Sequence, residues 1–225
     1  LGSHGERRGA NHREELQDVA GAVEFGGGGA RIGVDDDVLG ELDDDLLHHV
    51  YLSHALGDAL AAKFGVPIGF IPIGIGATSV REWLPAGVPF PAPPTLTYRV
   101  RQLPDSRWES NGVAYGTLVS RLKQFGPRGF RAVLWHQGES DANQKDPTRT
   151  LPGSLYQEHL GRIIRDSRQA AGWDAPWFVA QVSYHVPGDE ASPEIRAAQA
   201  SLWKDGIALE GPDSDALKGD LRERN

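Results

Sequence analysis

The sequence predicts an α/β fold built on a mostly parallel sheet covered on both faces. Three observations carry that prediction. Apolar residues recur at helical spacing in four segments, short continuous apolar runs alternate with those segments, and the connections between them are short. At 225 residues the chain can bury one substantial core, so a single domain over residues 1–225 is expected rather than two small ones.

In chain order, residues 1–45 read as an irregular segment holding GERRGANHREE, a glycine run at Gly26–Gly29 and the acids Asp35–Asp37, Glu41 and Asp43–Asp45. Short strands around Val23–Phe25 and Ala30–Val34 are weakened by this much glycine, which favours a surface loop or edge ribbon. A calcium site in the aspartates is the sharper alternative, but the ordered spacing of an EF-hand loop is missing. From Asp45 the period becomes helical: Leu52, Leu56, Leu60 and Phe64 share one face, and Gly65 supplies the stop.

VPIGFIPIG, residues 66–74, reads as a buried strand because it is continuously apolar and rich in isoleucine. A proline-rich loop spans Pro85–Pro94. A helix is expected over 112–125 through Ala114, Leu118, Leu122 and Phe125, then the strand RAVLW at 131–135. Tyr156, Leu160, Ile163, Ile164 and Ala171 mark a third helix, and WFVAQV at 177–182 a third strand. Pro193 near the first turn opens a fourth helix, and Ile207–Leu209 form a short last strand.

Composition removes several function classes. Without cysteine there are no disulfides and no thiolate chemistry. Methionine is absent too and the chain starts at Leu1, which points to a trimmed sequence. No run approaches the roughly 20 apolar residues of a membrane span, and the start lacks a signal-peptide pattern. A leader removed earlier would leave a secreted or periplasmic location open. The net charge of -8 is local: without the seven acids of the 35–45 cluster, 24 of the 31 acids face 23 bases. That balance argues against a nucleic-acid partner held by phosphate contacts.

In a parallel sheet the ligand lies beyond the carboxyl ends of the strands. Three loops qualify: Gly74–Trp83, Trp135–Asn143 and Ser183–Pro187. Gly76 has no Cβ to crowd a substrate, so its N–H can approach a developing oxyanion, or the glycine serves an ordinary strand-to-helix turn. Thr78 or Ser79 can cap VREW, while Arg81 and Glu82 either orient substrate hydroxyls or pair at the surface. In WHQGESDAN, the Gln137 amide can point at a carbonyl oxygen, Gly138 permits a tight turn, and Glu139 can anchor the loop by accepting backbone hydrogen bonds. Ser140 and Asp141 suit the same scaffolding purpose.

His136 lacks companions at metal-ligand spacing, His48 and His49 face different directions, and His185 lies in another loop, so no metal is expected. Trp83 either lines a sugar-binding surface or packs in the core, whereas Trp135, ending an apolar strand, favours the core. Trp108, Trp173, Trp177 and Trp203 read as structural.

IGATSVREWLP, followed some fifty residues later by VLWHQGESDAN, resembles the sialate O-acetylesterase-like group that overlaps carbohydrate esterase family six of the SGNH hydrolase superfamily. The resemblance runs from about Asp45 to Asn225 and includes YQEHLGRIIRDSR, WFVAQVS and EIRAAQ. It implies a flavodoxin-like three-layer α/β/α sandwich that removes acetyl groups from sugars by a serine mechanism, without a cofactor. By that analogy Gly76 and Gln137 stabilise the oxyanion and Glu139 holds the active-site loops together, with Arg81, Trp83, His136 and His185 facing the acetylated carbohydrate. Gly2, Ser3 and His4 are the nearest match to the family's nucleophile turn, although GSH also occurs in residual expression-tag sequence.

Relatives follow a segment like GPDSDALKGDLRERN with an aspartate-x-x-histidine motif that supplies the acid and base. The 225 residues stop before that point and look incomplete, so by themselves they are expected to show little esterase activity. A noncatalytic carbohydrate-binding relative that keeps the pocket is the alternative.

Overall fold

In the computed structural model the described residues are 56–143, 147–185, 188 and 191–217. Ser3, the strands expected near Val23–Phe25 and Ala30–Val34, the acidic cluster and the helical turn at Leu52 lie outside them. The chain divides into two compact units, Leu1–Gly76 and Ala77–Asn225, each taken by itself below.

In the first unit residues 56–64 are helical (α1). Gly65 ends the helix at φ 65°, with its N–H on the Ala61 carbonyl at 2.8 Å, as the glycine stop predicts. Gly57 leaves room for the Phe70 ring, which would lie 3.2 Å from a Cβ placed there. The buried strand expected at 66–74 is not formed among the described residues: this run joins no ladder and is half-buried to exposed. Pro67 and Pro72 have no N–H to donate, and Gly69 and Gly74 add no side chain to pack, so an apolar run alone does not make a strand.

The second unit opens with a 3-10 turn, Val80–Trp83. Three short strands follow, β1 (Pro89–Phe90), β2 (Val100–Gln102) and β3 (Trp108–Ser110), as an antiparallel sheet in the order β1-β3-β2. The proline-rich reading overlooked this sheet. Its strands are two or three residues long, too short to show an alternating pattern, and proline sits on the edge strand where a missing donor is tolerated.

Next come α2 (Val113–Gln124), β4 (Val133–Trp135), α3 (Gly153–Ala171), β5 (Trp177–Gln181), α4 (Pro193–Lys204) and β6 (Leu209–Asp213). Strands β4, β5 and β6 pair in that order and in parallel. This alternation is the expected α/β/α arrangement, with parallel and antiparallel sheets mixed. Pro193 opens α4 as its position predicts, the Ser192 hydroxyl caps it, and Gly172 at φ 74° closes α3.

In the second unit the core follows the apolar stripes that the periodicity identified in α2 and α3, whereas on the face expected of α1 Leu56 and Phe64 are 42 and 60% exposed. Leu118 and Leu122 of α2, Tyr156, Leu160, Ile163 and Ile164 of α3, and Ile195 and Leu202 of α4 are buried together with Val133, Trp135, Trp177 and Val179 of the sheet. Each fully buried large aliphatic or aromatic side chain contributes about 1.5–3 kcal/mol. On the other sheet face Leu134, Phe178 and Leu209 are direct cross-strand neighbours, yet 53, 36 and 48% exposed, so this row departs from the expected cover on both faces.

Candidate functional site

The turn that begins the second unit is built by local hydrogen bonding. Ser79 caps the Val80–Trp83 turn, and its own N–H donates to Glu82 Oε2 at 2.8 Å, a reciprocal capping box. Ala77, two residues before Ser79, holds φ at 56°, a left-handed conformation that side-chain-bearing residues rarely adopt. Glu82 is fully buried; burial raises its carboxyl above the usual range, opposed by the Ser79 N–H and by Arg99 at 3.4 Å. Trp83 donates from Nε1 to Thr78 Oγ1 at 2.9 Å and meets Trp135 edge-on, ring centroids 5.4 Å apart. At 3% exposure it sits in the core, which supports the packing reading of this residue.

The loop after β4 folds back on itself through N–H groups of Asp141 and Ala142 donating to the Gly138 carbonyl at 3.1 and 2.9 Å. Gly138 is required there: a Cβ would lie 2.2 Å from the Val182 carbonyl and 2.6 Å from Gln199 Nε2. Gln199, fully buried on α4, grips the end of β5 by accepting from Val182 N at 3.0 Å and donating to Val182 O at 2.8 Å. It also reaches the Gln137 carbonyl at 3.3 Å, where Tyr156 OH donates at 2.6 Å. Burial pushes the Tyr156 hydroxyl far up, so it remains a donor.

The two motif loops are bonded to each other. Asp141, fully buried, accepts from Ser79 Oγ at 2.5 Å, Val80 N at 2.8 Å and Gln137 Nε2 at 2.7 Å. Gln137 Nε2 also donates to the Thr78 carbonyl at 2.9 Å. Both amide hydrogens of Gln137 are therefore committed to the scaffold in this conformation. Arg81 lies 3.6 Å from Asp141 and is only 1% exposed, so its pairing is internal rather than at the surface. It donates to the carbonyls of Ala92, Pro93 and Arg149 and to Ser79 Oγ at 2.8–3.1 Å. Burial pushes the guanidinium pKa down, against the raising influence of Asp141 and Glu82.

Glu139 bonds within its own loop: its carboxylate accepts from Gly138 N at 2.8 Å and lies 3.7 Å from His136 Nδ1. The cross-loop tie that the resemblance assigns to Glu139 is made by Asp141. His136, with a side chain 54% exposed, places Nε2 2.9 Å from Ser214 Oγ and so links the exits of β4 and β6. No serine–histidine–aspartate triad is assembled among the described residues, and no group of three or more His, Asp or Glu among them could hold a metal ion.

The third loop is fixed by a carboxylate as well. Asp215 accepts from Ser183 N at 2.9 Å, Ser183 Oγ at 2.8 Å, Tyr184 N at 3.0 Å and Arg196 at 2.8 Å. Burial alone would raise its carboxyl, but these donors, led by Ser183, hold it below the usual range. Asp213 shares Arg196 at 2.7 Å, which lowers its carboxyl and raises the arginine. His185 is exposed at the end of this loop. Gly76 is the last residue of the first unit.

Sequence reasoning brought Gln137, Gly138, Glu139 and His136 to one loop, and Arg81 to the turn it touches. It passed over Tyr156 and Gln199, whose polar ends hold that loop from two helices. Tyr156 looked like an ordinary member of an apolar stripe, and the only signal for Gln199 is an amide on the buried face of α4.

The family model described as carbohydrate esterase, sialic acid-specific acetylesterase matches residues 44–210. No curated protein and no solved structure matches the chain. No helix among the described residues is long and apolar enough to cross a membrane. The matched span contains both motif loops and strands β4 and β5, and the chain belongs to the carbohydrate esterase family of sialic acid-specific acetylesterases.

Proposed function

We propose that the protein is a serine-type carbohydrate O-acetylesterase with a flavodoxin-like sandwich, and that its substrate is an acetylated sugar or glycan. One observation carries this reading: the Thr78–Val80 turn and the loop after β4 are locked together by Asp141, Gln137, Ser79 and Thr78, inside the span matched by the esterase family. In such a reaction a histidine takes the serine proton, the serine oxygen attacks the acetyl carbonyl, and the sugar oxygen leaves with that proton. Water then hydrolyses the acetyl-enzyme.

The Gln137 amide is the proposed oxyanion donor of the second unit. Gln137 takes that role only by exchanging its bond to Thr78 or Asp141 for one to the substrate, since an amide nitrogen carries two hydrogens. Glu139, His136 and His185, which line exposed parts of the strand-end loops, are proposed to meet the sugar, with Arg81 and Trp83 supporting the loops from within.

The test is hydrolysis of p-nitrophenyl acetate and acetylated oligosaccharides, combined with fluorophosphonate labelling and mapping of the labelled serine. Turnover with labelling at Ser3 or another single serine supports the proposal. The lack of an assembled triad among the described residues favours a second reading, a noncatalytic carbohydrate binder, which glycan binding without turnover or labelling would establish.

A further inference from the structure

We infer that Asp141 is a positioning residue that sets the distance between the Thr78–Val80 turn and the loop after β4, and thereby presents both to a bound acyl ester; the catalytic part of this inference rests on the esterase reading. Oδ1 accepts from Ser79 Oγ at 2.5 Å and lies 3.6 Å from Arg81, while Oδ2 accepts from Val80 N at 2.8 Å and Gln137 Nε2 at 2.7 Å. Each of these partners acts as a donor. Only an ionised carboxylate offers acceptors on both sides; an asparagine would turn an NH2 group toward one pair of donors.

The carboxylate is fully buried, a position that costs several kcal/mol for an unpaired charge. Arg81 and the three hydrogen bonds compensate it where the two loops meet at this spacing. Arg81 cannot swing away, because three backbone carbonyls and Ser79 Oγ hold its guanidinium. Among the described residues Glu139 contacts Gly138 and His136 of its own loop.

The consequence reaches chemistry through Gln137. Its amide orientation is determined by two acceptors, Thr78 O on one loop and Asp141 on its own. Weakening the second frees the side chain to rotate and the Thr78–Val80 turn to drift. A displacement of about 1 Å in a positioning element can cost about a hundredfold in rate.

The experiment compares the wild-type protein with Asp141→Asn, with Ser79→Ala as a milder variant that removes one of the donors, and with Gln137→Ala alone and combined with Asp141→Asn. Backbone amide exchange at Val80 and in α3, thermal stability, and kcat and KM for p-nitrophenyl acetate are measured below the melting temperature of each variant. Positioning predicts that Asp141→Asn speeds exchange at Val80 about tenfold or more while α3 is unchanged, as expected for a local opening. It also predicts a kcat about tenfold lower with KM within about twofold, and a double variant no slower than the worse single one.

A residue serving global stability alone would instead raise exchange in Val80 and α3 together and leave kcat per folded molecule intact. That pattern, or unchanged exchange at Val80, overturns the inference. If Asp141→Asn does not fold, the Val80 exchange and kcat of Ser79→Ala decide by the same signs. Should the wild-type protein hydrolyse no acetyl ester, the esterase reading fails, and the exchange at Val80 still decides whether Asp141 holds the two loops.

Discussion

The backbone N–H of Val80 donates to Asp141 Oδ2 at 2.8 Å across 61 positions of sequence. This bond joins the start of a 3-10 turn to the exit of a parallel strand, two places with no common secondary-structure ladder. A side chain therefore does here what a ladder does within the sheet. Substitutions that disturb such side-chain ties should act on the loops and on stability together.

Gly138→Ala should destabilise the fold by about 1–3 kcal/mol or more, the usual range for overpacking. The added Cβ would press on the Val182 carbonyl and on Gln199, and backbone at 2.2 Å cannot yield cheaply. Urea unfolding followed by tryptophan fluorescence should show a lower midpoint.

Gln199→Leu fills a similar volume but removes the partners of Val182 N, Val182 O and one donor to Gln137 O. Each buried polar group left unmade costs about 1–3 kcal/mol, so the loss should exceed that of a typical surface change. Chemical denaturation measures it, and Gln199→Glu should restore none of the donation to Val182 O.

His159 makes stability depend on pH. It is 4% exposed on α3, its Nε2 has no hydrogen-bond partner, and burial followed by Arg81 and Arg162 lowers its pKa from 6.5 to about 4. The unfolded chain then binds a proton more readily than the folded one. The stabilising contribution is present above pH 6.5 and is lost as pH falls toward about 4, amounting to of order 3 kcal/mol. His159→Phe, which keeps the ring against Phe90 at 6.2 Å, should flatten this part of the melting-temperature profile between pH 7 and 4.

Asp215→Ala should release the loop after β5. It strips acceptors from Ser183 N, Ser183 Oγ, Tyr184 N and one arm of Arg196, of which the Ser183 side chain is fully buried. Limited proteolysis should begin to cut near Tyr184 and His185. Because the folded Asp215 carboxyl lies below its ordinary value, the wild-type tie is complete above that value and weakens as pH falls through the folded pKa.

Much of the fold was legible in the residues. The stripe Tyr156, Leu160, Ile163, Ile164 places α3, Ser192–Pro193 places the start of α4, and the runs VLW and WFVAQ place two parallel strands, because each signal comes from neighbours within a few residues. The antiparallel strands at Pro89–Phe90, Val100–Gln102 and Trp108–Ser110 were not legible, since strands this short owe their existence to the partner across the ladder. The run at 66–74 shows the converse: apolar content interrupted by Pro67, Pro72 and glycines forms no strand among the described residues.

At the site the division is the same. The sequence by itself determined which chemical groups stand in the two motif loops: an imidazole, an amide, a glycine and two carboxylates within His136–Asp141, and a hydroxyl cap, Thr78 or Ser79, before VREW. Only tertiary structure decided that Asp141 rather than Glu139 bridges the loops, that Arg81 and Trp83 turn inward, and that Gln137 rests on Thr78. The physical reason is reach. Capping, periodicity and turn formation are settled between residues three or four apart, whereas the partner of a buried charge is whichever donor the folded chain brings within about 3 Å, and no local pattern encodes that meeting.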